Sequence, residues 1–404
     1  MQMYDLFFFF SYLCSGKVMN MKKIIITISC TILSSALFSC DQIRSKMTPA
    51  GVETDTSTVT EVVEIPQTDS LSILVAGDLM QHQPQINAAY TGSGYDYSEC
   101  FELVKEIVSD ADVAIANFEV TLGGRPYKGY PCFSAPDEYL VAILDAGFDV
   151  LTTGNNHCLD TGKRGLERTI VMMDSLNVPH LGTYRDSLER AQHYPLIVEK
   201  NGFRIALLNF TYATNGLLVR KPNIVNYIDT VEIASDIRKA KRMKPDLLIA
   251  LPHWGVEYSL IPAAADKALA DWLFAQGVDH IIGGHPHVVQ QMECRNDSTA
   301  DGGNILVYSL GNYISNQYME NTTGGAMVRL DFTKTGDEVK LEKYGYMLTH
   351  CSRPQVSGGK NYRIVPVWMD EELNDGDKAI RDRFMRRMDR LFEQHNKNFG
   401  PYEF

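Results

Sequence analysis

Two histidines stand close together in the segment 283–287, which reads GGHPH. The residues just before it, 278–282, are mostly apolar and lead into a pair of glycines, which predicts a buried strand that ends in a turn. Because His285 precedes a proline, we expect extended backbone there, and the turn would let both imidazoles lean over the end of the strand. Imidazoles in such a place can bind a metal ion, although an ordinary polar turn has the same composition.

The rest of the chain alternates apolar runs of strand length with segments of helical spacing. Asparagine and glycine at 201–202 lie between two apolar runs and predict a hairpin, and 327–333 with 339–347 predict a second one. This alternation predicts an α/β fold in which helices flank the sheets. Strand-like runs occupy 71–76, 112–118, 148–153, 178–181, 246–251 and 304–309, and helical spacing covers 97–108, 136–147, 164–176, 228–243, 262–276 and 377–395.

Potential metal ligands follow five of the predicted strands. Ligands of open α/β sheets gather outside the carboxyl ends of the strands, so we expect these side chains to lie close together. They comprise two carboxylates, one amide and three imidazoles: Asp78, Glu119, Asn156, His253, His285 and His287.

This set of oxygen and nitrogen ligands suits borderline divalent metals such as Mn²⁺, Fe²⁺ or Zn²⁺. Six ligands are more than one catalytic ion needs, whereas two ions that share a carboxylate would use all of them. Each residue alone also has a plain structural explanation. Asp78 could cap a helix, Asn156 could stand in a turn, and His253 could be packed in a loop.

The amino-terminal region has the pattern of an export signal. Lys22 and Lys23 precede an apolar stretch, 24–38, that is short for a membrane span and ends just before Cys40. This pattern is similar to a bacterial lipoprotein signal and predicts a signal region over 1–40, with Met21 as the better start and a lipid on Cys40. A plain secretory signal or a retained helix is the alternative. Residues 41–70 have little to bury and predict a flexible tether.

The charge of the chain argues against one class of partner. Removal of residues 1–39 would take three lysines and one aspartate from 38 basic and 50 acidic residues, which leaves a net charge of -14. No basic stretch stands out, so we expect no nucleic acid partner. With the lipid on Cys40, the expected location is the cell envelope, outside the cytoplasm.

The motifs, taken in order, resemble the CapA family, which is tied to poly-γ-glutamate and capsule biosynthesis and belongs to the calcineurin-like metallophosphatase superfamily. The resemblance covers about 71–315 and implies a layered α/β/β/α metallophosphatase-like sandwich with metal ligands at the carboxyl ends of its strands. We expect this domain over 71–350 and a carboxyl-terminal extension with an amphipathic helix over 351–404. The motifs are Gly-Asp at 77–78, Asn-x-Glu at 117–119, Gly-Asn-Asn-His at 154–157, His-Trp-Gly at 253–255, Gly-His-Pro-His at 284–287 and Ser-Leu-Gly-Asn at 309–312.

The resemblance also implies a role for each ligand. Asp78 and His287 would hold a first ion, and Glu119 would bridge it to a second ion. That second ion would be held by Asn156, His253 and His285. His157 would be the general acid, since a histidine can give a proton to a leaving oxygen near neutral pH.

One position departs from the superfamily pattern. Met80 stands where the first motif usually has a histidine, and His82, two residues further on, could replace it or be a solvated loop histidine. We therefore expect one of the two ions to be bound weakly, which places ordinary phosphatase activity in question.

Other polar residues are candidates for contact with substrate. Glu257 follows His253 by four residues and could support the centre or face the substrate, or be a surface glutamate. Asn312 follows a predicted strand and could face the substrate or stand in a turn. Arg125 and Lys128, in the loop after Glu119, are the nearest cations for an anionic substrate, although solvated loop charges are common.

Two functions agree with these features. The first is a lipid-anchored, metal-dependent hydrolase of phosphoester or polymer-linked bonds, acting in the synthesis of a capsule, poly-γ-glutamate or an exopolysaccharide. The second is a protein without turnover that binds an anionic capsule polymer through metal and assists its export.

Overall fold

The computed structural model describes residues 67–299 and 301–403. Residues Glu64–Phe404 belong to one compact unit. The predicted signal region with Cys40, and the predicted tether up to residue 66, lie outside the described ranges. Within those ranges, no helix is both long enough and apolar enough to cross a membrane.

Of the strands in the described ranges, three have 12 residues or more, and the others are shorter. Their bounds are β1 Thr68–Leu79, β2 Val113–Phe118, β3 Val150–Thr152, β4 His180–Leu181, β5 Thr183–Tyr184, β6 Leu196–Lys200, β7 Phe203–Thr211, β8 Ile224–Val225, β9 Leu247–His253, β10 His280–Ile282, β11 Met292–Arg295, β12 Asn304–Val307, β13 Asn312–Ile314, β14 Gly324–Thr335, β15 Glu338–Ser352 and β16 Arg363–Pro366.

The helices lie between these strands, and the longest one ends near the carboxyl terminus. Their bounds are α1 Gln83–Ala89, α2 Ser98–Phe101, α3 Lys105–Ser109, α4 Asp137–Asp145, α5 Gly162–Ser175, α6 Ser187–His193, α7 Thr230–Arg242, α8 Ala264–Ala275, α9 Pro354–Ser357 and α10 Asp375–His395.

The strands form two main sheets. The first has the order β16-β15-β14-β1-β2-β3-β4, and β13 pairs with the end of β1. The second has the order β11-β12-β10-β9-β7-β6, and β5 pairs with β8 in a small separate sheet. Strands β1 to β4 run parallel, as do β7, β9, β10 and β12, so their carboxyl ends lie on the same edge of each sheet.

Alternate side chains of β1 belong to different hydrophobic layers, as the period of a strand requires. Ile73 and Val75 pack in the core shared with the strands of the second sheet, whereas Leu74 and Ala76 pack against the helices on the outer face. Both faces of this strand are therefore buried, which explains its nearly continuous apolar sequence. The predicted layered α/β/β/α sandwich is confirmed.

The structure corrects several local predictions. The predicted helix 97–108 is divided into α2, a 3-10 segment at Glu102–Val104, and α3, with φ values of -117° at Phe101 and -109° at Val104 where the segments meet. The helix α6 was not predicted from the apolar period because none of its residues is buried. It starts at Asp186, whose carboxylate accepts hydrogen bonds from two backbone amides of its first turn.

The carboxyl-terminal segment is joined to the first sheet. The predicted boundary at residue 350 falls inside β15, and β16 pairs with the end of that strand. Asp377, in the first turn of α10, accepts hydrogen bonds from Ser352 Oγ at 2.8 Å and lies 3.2 Å from His350 Nε2. All three residues are almost fully buried, so this contact ties α10 to β15 in the interior.

Replacement of Asp377 by alanine should destabilise the whole unit. The change would leave buried donors of Ser352 and His350 unpaired, and we expect a loss of about 2–4 kcal/mol in the free energy of unfolding. Urea denaturation followed by circular dichroism measures it. Asp375→Ala, an exposed residue of the same helical turn, is the matched control and should change stability by less than about 1 kcal/mol. Equal effects of the two variants would contradict this assignment.

Candidate metal centre

The predicted ligands meet at the carboxyl ends of strands from both sheets. Strands β1 and β9 carry their ligands within their last two residues, and the other ligands follow β2, β3 and β10 directly or within a short turn. None of the six side chains is more than 2% exposed, so water has almost no access to them. They are Asp78, Glu119, Asn156, His253, His285 and His287.

The candidate ligand atoms form two overlapping groups, and within each group all atoms lie within 4.8 Å of one another. One contains Asp78, Glu119 and His253, and the other contains Glu119, His285 and His287. Glu119 belongs to both groups, which is the arrangement that a bridging carboxylate needs. The other partners differ from the implied pairs, since Asp78 groups with His253 and His287 groups with His285.

Shorter contacts connect these groups. His287 Nδ1 lies 3.1 Å from Asp78 Oδ2, so this pair, implied by the resemblance, is also in contact. His253 Nε2 lies 2.8 Å from Asn156 Oδ1 and 3.5 Å from Glu119 Oε1. Asn156 is thus beside the same imidazole nitrogen that faces the shared carboxylate.

Two buried atoms of the centre have no hydrogen-bond partner within the described residues. They are Glu119 Oε1 and His285 Nδ1. A buried polar atom without a partner is costly, and a bound cation would satisfy both atoms at once. Since the donors are carboxylate oxygens and imidazole nitrogens, the residues present are suited to a divalent metal.

The pKa values of the histidines differ because their surroundings differ. Burial lowers the pKa of His253 to about 3, and burial followed by the neighbouring His253 and His287 lowers the pKa of His285 to about 2. These two rings are therefore neutral near pH 7 and have a lone pair for a metal. Burial alone would lower the pKa of His287 as well, but Glu119 and Asp78 raise it to about 9.

The two carboxylates are affected in opposite directions. Burial and the nearby charge of Asp78 raise the pKa of Glu119 well above its usual range. Burial would also raise the pKa of Asp78, but the hydrogen bond with His287, the charges of His287 and His253, and the hydrogen bond from Asn117 lower it to about 2. Asp78 is therefore the permanent negative charge of the centre.

The turn that carries two of the histidines has an unusual backbone. His285 and His287 have φ values of 101° and 59°, which non-glycine residues seldom adopt, and the extended conformation expected for His285 is wrong. The turn is held from both sides, because Gly284 N donates to Pro252 O and Trp254 N donates to Gly284 O. Gly284 must lack a side chain, since a Cβ there would lie 2.9 Å from Asp78 Oδ1.

Asn117, which was not among the predicted ligands, lies between several of them. Asn117 Nδ2 lies 2.8 Å from Asp78 Oδ1, 3.1 Å from Glu119 Oε2 and 3.2 Å from His253 Nδ1. Its Oδ1 accepts hydrogen bonds from Asn155 Nδ2 and Thr152 Oγ1. Those two bonds orient the amide so that its nitrogen faces the ligands, and the Asn-x-Glu motif contained this signal.

His157, the predicted general acid, lies beside the centre with a carboxylate behind it. Its Nδ1 is 2.7 Å from Asp160 Oδ2, and Asp160 also accepts a hydrogen bond from Phe133 N at 2.7 Å. Both side chains are buried. The carboxylate fixes the imidazole in one orientation, and its position three residues after His157 was visible in the sequence.

An open cleft of about 270 Å³ lies next to the centre. His157, His287 and Glu257 line it, so the predicted general acid, a predicted ligand and a predicted substrate contact share one cavity. Met80 and His82 line the same cleft. Neither belongs to a ligand group within the described residues, and His82 Nδ1 lies 3.3 Å from the Asn316 amide, which donates to it.

The other residues predicted to contact substrate do not line this cleft. Asn312 stands in β13 beside Asp78, and its Nδ2 lies 2.9 Å from Gln317 Oε1 in the interior, so it does not line the cleft. Arg125 and Lys128 are exposed in the loop after β2. Neither of them lines the cleft, and Arg125 lines a separate neighbouring groove.

The end of β7 adds two residues that the sequence prediction missed. The ring of Tyr212 lies 4.3 Å from that of His285, and Asn215 Oδ1 accepts a hydrogen bond from Asn156 at 3.2 Å. The strand predicted over 203–210 was correct. Both residues would have been found if the polar residues after this strand had also been considered as candidates.

Comparison with known proteins found both sequence relatives and solved structures that resemble this chain. Capsule biosynthesis protein CapA of Bacillus anthracis is 30% identical over 289 residues, which are 68% of this chain and 66% of that protein. PGA biosynthesis protein CapA of Bacillus subtilis is 27% identical over 278 residues, 66% of this chain and 69% of that one. The chain thus spans about two thirds of each relative. A calcineurin-like phosphoesterase of Bacillus subtilis aligns at 13% identity and a TM-score of 0.45, over 81% of this chain and 99% of that one.

Two stacked sheets with a buried group of carboxylates and imidazoles at their strand ends define an α/β protein with a candidate divalent-metal centre. The model of the bacterial capsule synthesis protein family PGA_cap matches residues 72–317, which contain all six predicted ligands. The chain belongs to this family.

Replacement of Asn117 by alanine should weaken metal binding without unfolding the protein. The ligands Asp78 and Glu119 would lose the amide that positions them, and loss of such a supporting contact lowers metal affinity by about 10- to 100-fold. Competition with a chelator of known affinity, using Mn²⁺ and Zn²⁺ in turn, measures the change. Asn87→Ala, on the exposed face of α1, is the matched control. An unchanged affinity in Asn117→Ala with intact circular dichroism would contradict the assignment.

Proposed function

We propose that this protein is a divalent-metal-dependent hydrolase that acts on a phosphoester or polymer-linked bond during the synthesis of a capsule polymer, poly-γ-glutamate or an exopolysaccharide. The observation that carries the proposal is the sharing of buried Glu119 by two groups of ligand atoms beside the cleft that contains His157. The names of the relatives support the biological context. The proposal places the protein in the cell envelope, anchored by a lipid on Cys40, as the sequence pattern of residues 1–40 predicts.

Two divalent ions would use every ligand of the centre. Glu119 would bridge them, and the other five side chains would complete the two sites, one of them weakly because Met80 supplies no imidazole. Bound ions of this kind polarise an ester oxygen and supply a hydroxide nucleophile near neutral pH. The protein's own contribution is to bury the ligands, orient them through Asn117 and leave the cleft as the open side.

His157 would act on the leaving group. Because Asp160 occupies its Nδ1, the nitrogen left to exchange a proton with the substrate is Nε2. In the protonated ring, Nε2 can give a proton to the departing oxygen and so prevent the release of an unstable alkoxide. Asp160 is a positioning residue in this scheme, since it holds the ring without touching the reacting atoms.

A second candidate function is metal-dependent binding of an anionic polymer without turnover. Met80 favours it, because a thioether lines the cleft where the superfamily pattern has an imidazole. In addition, no lysine or arginine is among the described residues that line the cleft, so apart from His287, whose pKa is raised, positive charge there would come from the metal. Such a protein would bind polymer only when it is loaded with metal and would release no product.

Metal analysis should separate these possibilities. The full chain, purified in detergent without chelator, should contain about two equivalents of transition metal by inductively coupled plasma mass spectrometry. His285→Ala/His287→Ala should lose most of it, because one ligand group loses both imidazoles. His193→Ala/His395→Ala, outside the ligand groups, is the control. A folded wild-type protein that takes up no added Mn²⁺, Fe²⁺ or Zn²⁺ would contradict both functions.

Activity measurements should then test the role of His157. We expect Mn²⁺-loaded protein to cleave bis(p-nitrophenyl) phosphate, whose phenolate leaves without a proton, and an alkyl phosphate, whose alkoxide needs one. His157→Ala should lower kcat for the alkyl phosphate by about 10²- to 10⁴-fold and affect the nitrophenyl ester much less, with metal content unchanged. Asp160→Asn should lower kcat as well, since an amide nitrogen in place of the carboxylate oxygen would reverse the tautomer of the ring. Asp145→Asn, an exposed carboxylate, is the control. Bound metal without turnover of any ester, together with polymer binding, would favour the second candidate.

A further inference from the structure

A second cavity, an open groove of about 690 Å³, lies beside the cleft of the metal centre. Its size is within the range of small-molecule and oligomer sites in proteins. Helix α1 forms one wall and the loop after Gly124 forms another. The residues used below line it: Gln83, Asn87, Tyr90, Tyr95, Arg125 and Tyr127.

Three tyrosine rings form a connected aromatic surface in this groove. Tyr90 and Tyr95 have ring centroids 5.4 Å apart, and Tyr95 and Tyr127 have centroids 5.3 Å apart at nearly a right angle. Tyr90 is 51% exposed, yet its hydroxyl donates to Gly92 O at 2.7 Å, so the ring is fixed in place. Fixed and accessible tyrosines offer an apolar face together with polar edges.

The groove also contains a cation that no carboxylate of the described residues neutralises. Arg125 is exposed, its guanidinium lies 5.0 Å from the centroid of the Tyr127 ring, and it forms no ion pair in the described part of the chain. Asp137 and Glu138 lie near Tyr127, but Asp137 is already paired with Arg168 at 2.7 Å. The guanidinium lies over the ring, and its N–H groups stay available for a planar anion.

Two amides complete the set of polar groups. Gln83 Nε2 donates to Asn87 Oδ1 at 3.0 Å on the exposed side of α1. The second N–H of Gln83 and the amide nitrogen of Asn87 remain to donate to hydroxyl or carbonyl oxygens. Rings, amides and one arginine are the groups that recognise a sugar ring that carries hydroxyls and a carboxylate.

We propose that this groove is a binding subsite for an acidic oligosaccharide, a chain of sugar rings with carboxylates of the uronic acid type. The sugar rings would lie on Tyr90, Tyr95 and Tyr127, and one carboxylate would accept two hydrogen bonds from Arg125. This subsite extends the proposed function because it names the chemical class of the polymer substrate. It rests on the proposed function only in assuming that the substrate is a polymer.

The groove and the metal cleft are adjacent parts of one surface. His82 lines the cleft and the next residue, Gln83, lines the groove. The loop on the other side does the same, since Arg125 and Tyr127 line the groove and Tyr130, 73% exposed, lines the cleft. The two walls are joined, because Gly129 N donates to Gln83 Oε1 at 3.3 Å. A polymer held in the groove can therefore continue past Tyr130 to the metal centre.

The groove is less suited to a poly-γ-glutamate chain. Such a chain carries a carboxylate on every residue and has no ring, so its recognition calls for several cations and few aromatic side chains. Arg125 is the only lysine or arginine among the described residues that line the groove, and the chain as a whole has a net charge of -12. Three rings and one cation match a polymer with more ring surface than charge.

Isothermal titration calorimetry on the full chain in detergent can test the proposal. The probes are a hyaluronan hexasaccharide as the acidic sugar, in which every second ring carries a carboxylate, maltohexaose as a neutral sugar, and hexa-γ-glutamate as an anion without rings. A chelator present throughout keeps the metal centre empty, so hydrolysis cannot consume the probes. We expect the hyaluronan hexasaccharide to bind at least tenfold more tightly than hexa-γ-glutamate and maltohexaose.

Two variants locate the binding in the groove. Arg125→Gln should weaken binding of the acidic sugar about tenfold and leave any maltohexaose binding unchanged, because only the charge-assisted hydrogen bonds are lost. Tyr90→Ala should weaken binding of both sugars, and its thermal unfolding curve shows whether the fold is intact. Arg242→Gln, an exposed arginine outside the groove, is the matched control for Arg125→Gln. Tighter binding of hexa-γ-glutamate, no binding of any sugar, or binding unaffected by Arg125→Gln would overturn the proposal.

Discussion

The buried carboxylate of Glu119 is the constraint on which the centre depends. It is fully buried, it lies beside a second carboxylate, and one of its oxygens has no hydrogen-bond partner in the described part of the chain. A group in that situation destabilises the fold unless a positive charge compensates it. Bound divalent cations would supply that charge, and their binding would then stabilise the fold.

Both sheets contribute residues to the candidate metal centre. Asp78, Glu119 and Asn156 come from the first sheet, whereas His253 and the turn with His285 come from the second. Because the carboxyl ends of the parallel strands lie on one edge in each sheet, stacking the sheets brings oxygen ligands against nitrogen ligands. Neither sheet alone has the set that a borderline metal needs. The stacking of the sheets is therefore also the step that assembles the site.

Polar residues behind the ligands determine how well the centre is organised. Asn117 faces three ligands at once and is oriented by Asn155 and Thr152, while Asp160 holds His157. The described residues that line the cleft in front of them include no lysine or arginine, and the neighbouring groove has aromatic rings and a single arginine. Under the proposed function, these properties would favour a polymer with modest charge.

Residue types and periods determined much of this without the tertiary structure. The apolar runs placed the main strands, and the polar residues at their ends supplied the six candidate ligands and the candidate acid His157, because both signals are local in the sequence. The short helix α6 and the strand β13 were not predicted, since neither has an apolar period of its own: α6 buries nothing, and β13 exists only through pairing with β1.

The tertiary structure alone decided which ligands touch and what stands between them. Asp78 and His287 are 209 positions apart in the sequence and 3.1 Å apart in space, a relation that no local pattern contains. The same reason explains why the sequence could not place Arg125 in a groove rather than at the metal centre. The candidate metal-binding residues could be predicted from the sequence because the type of a residue determines which of its atoms can bind a metal. Which of these atoms lie together in one group depends on how the two sheets pack.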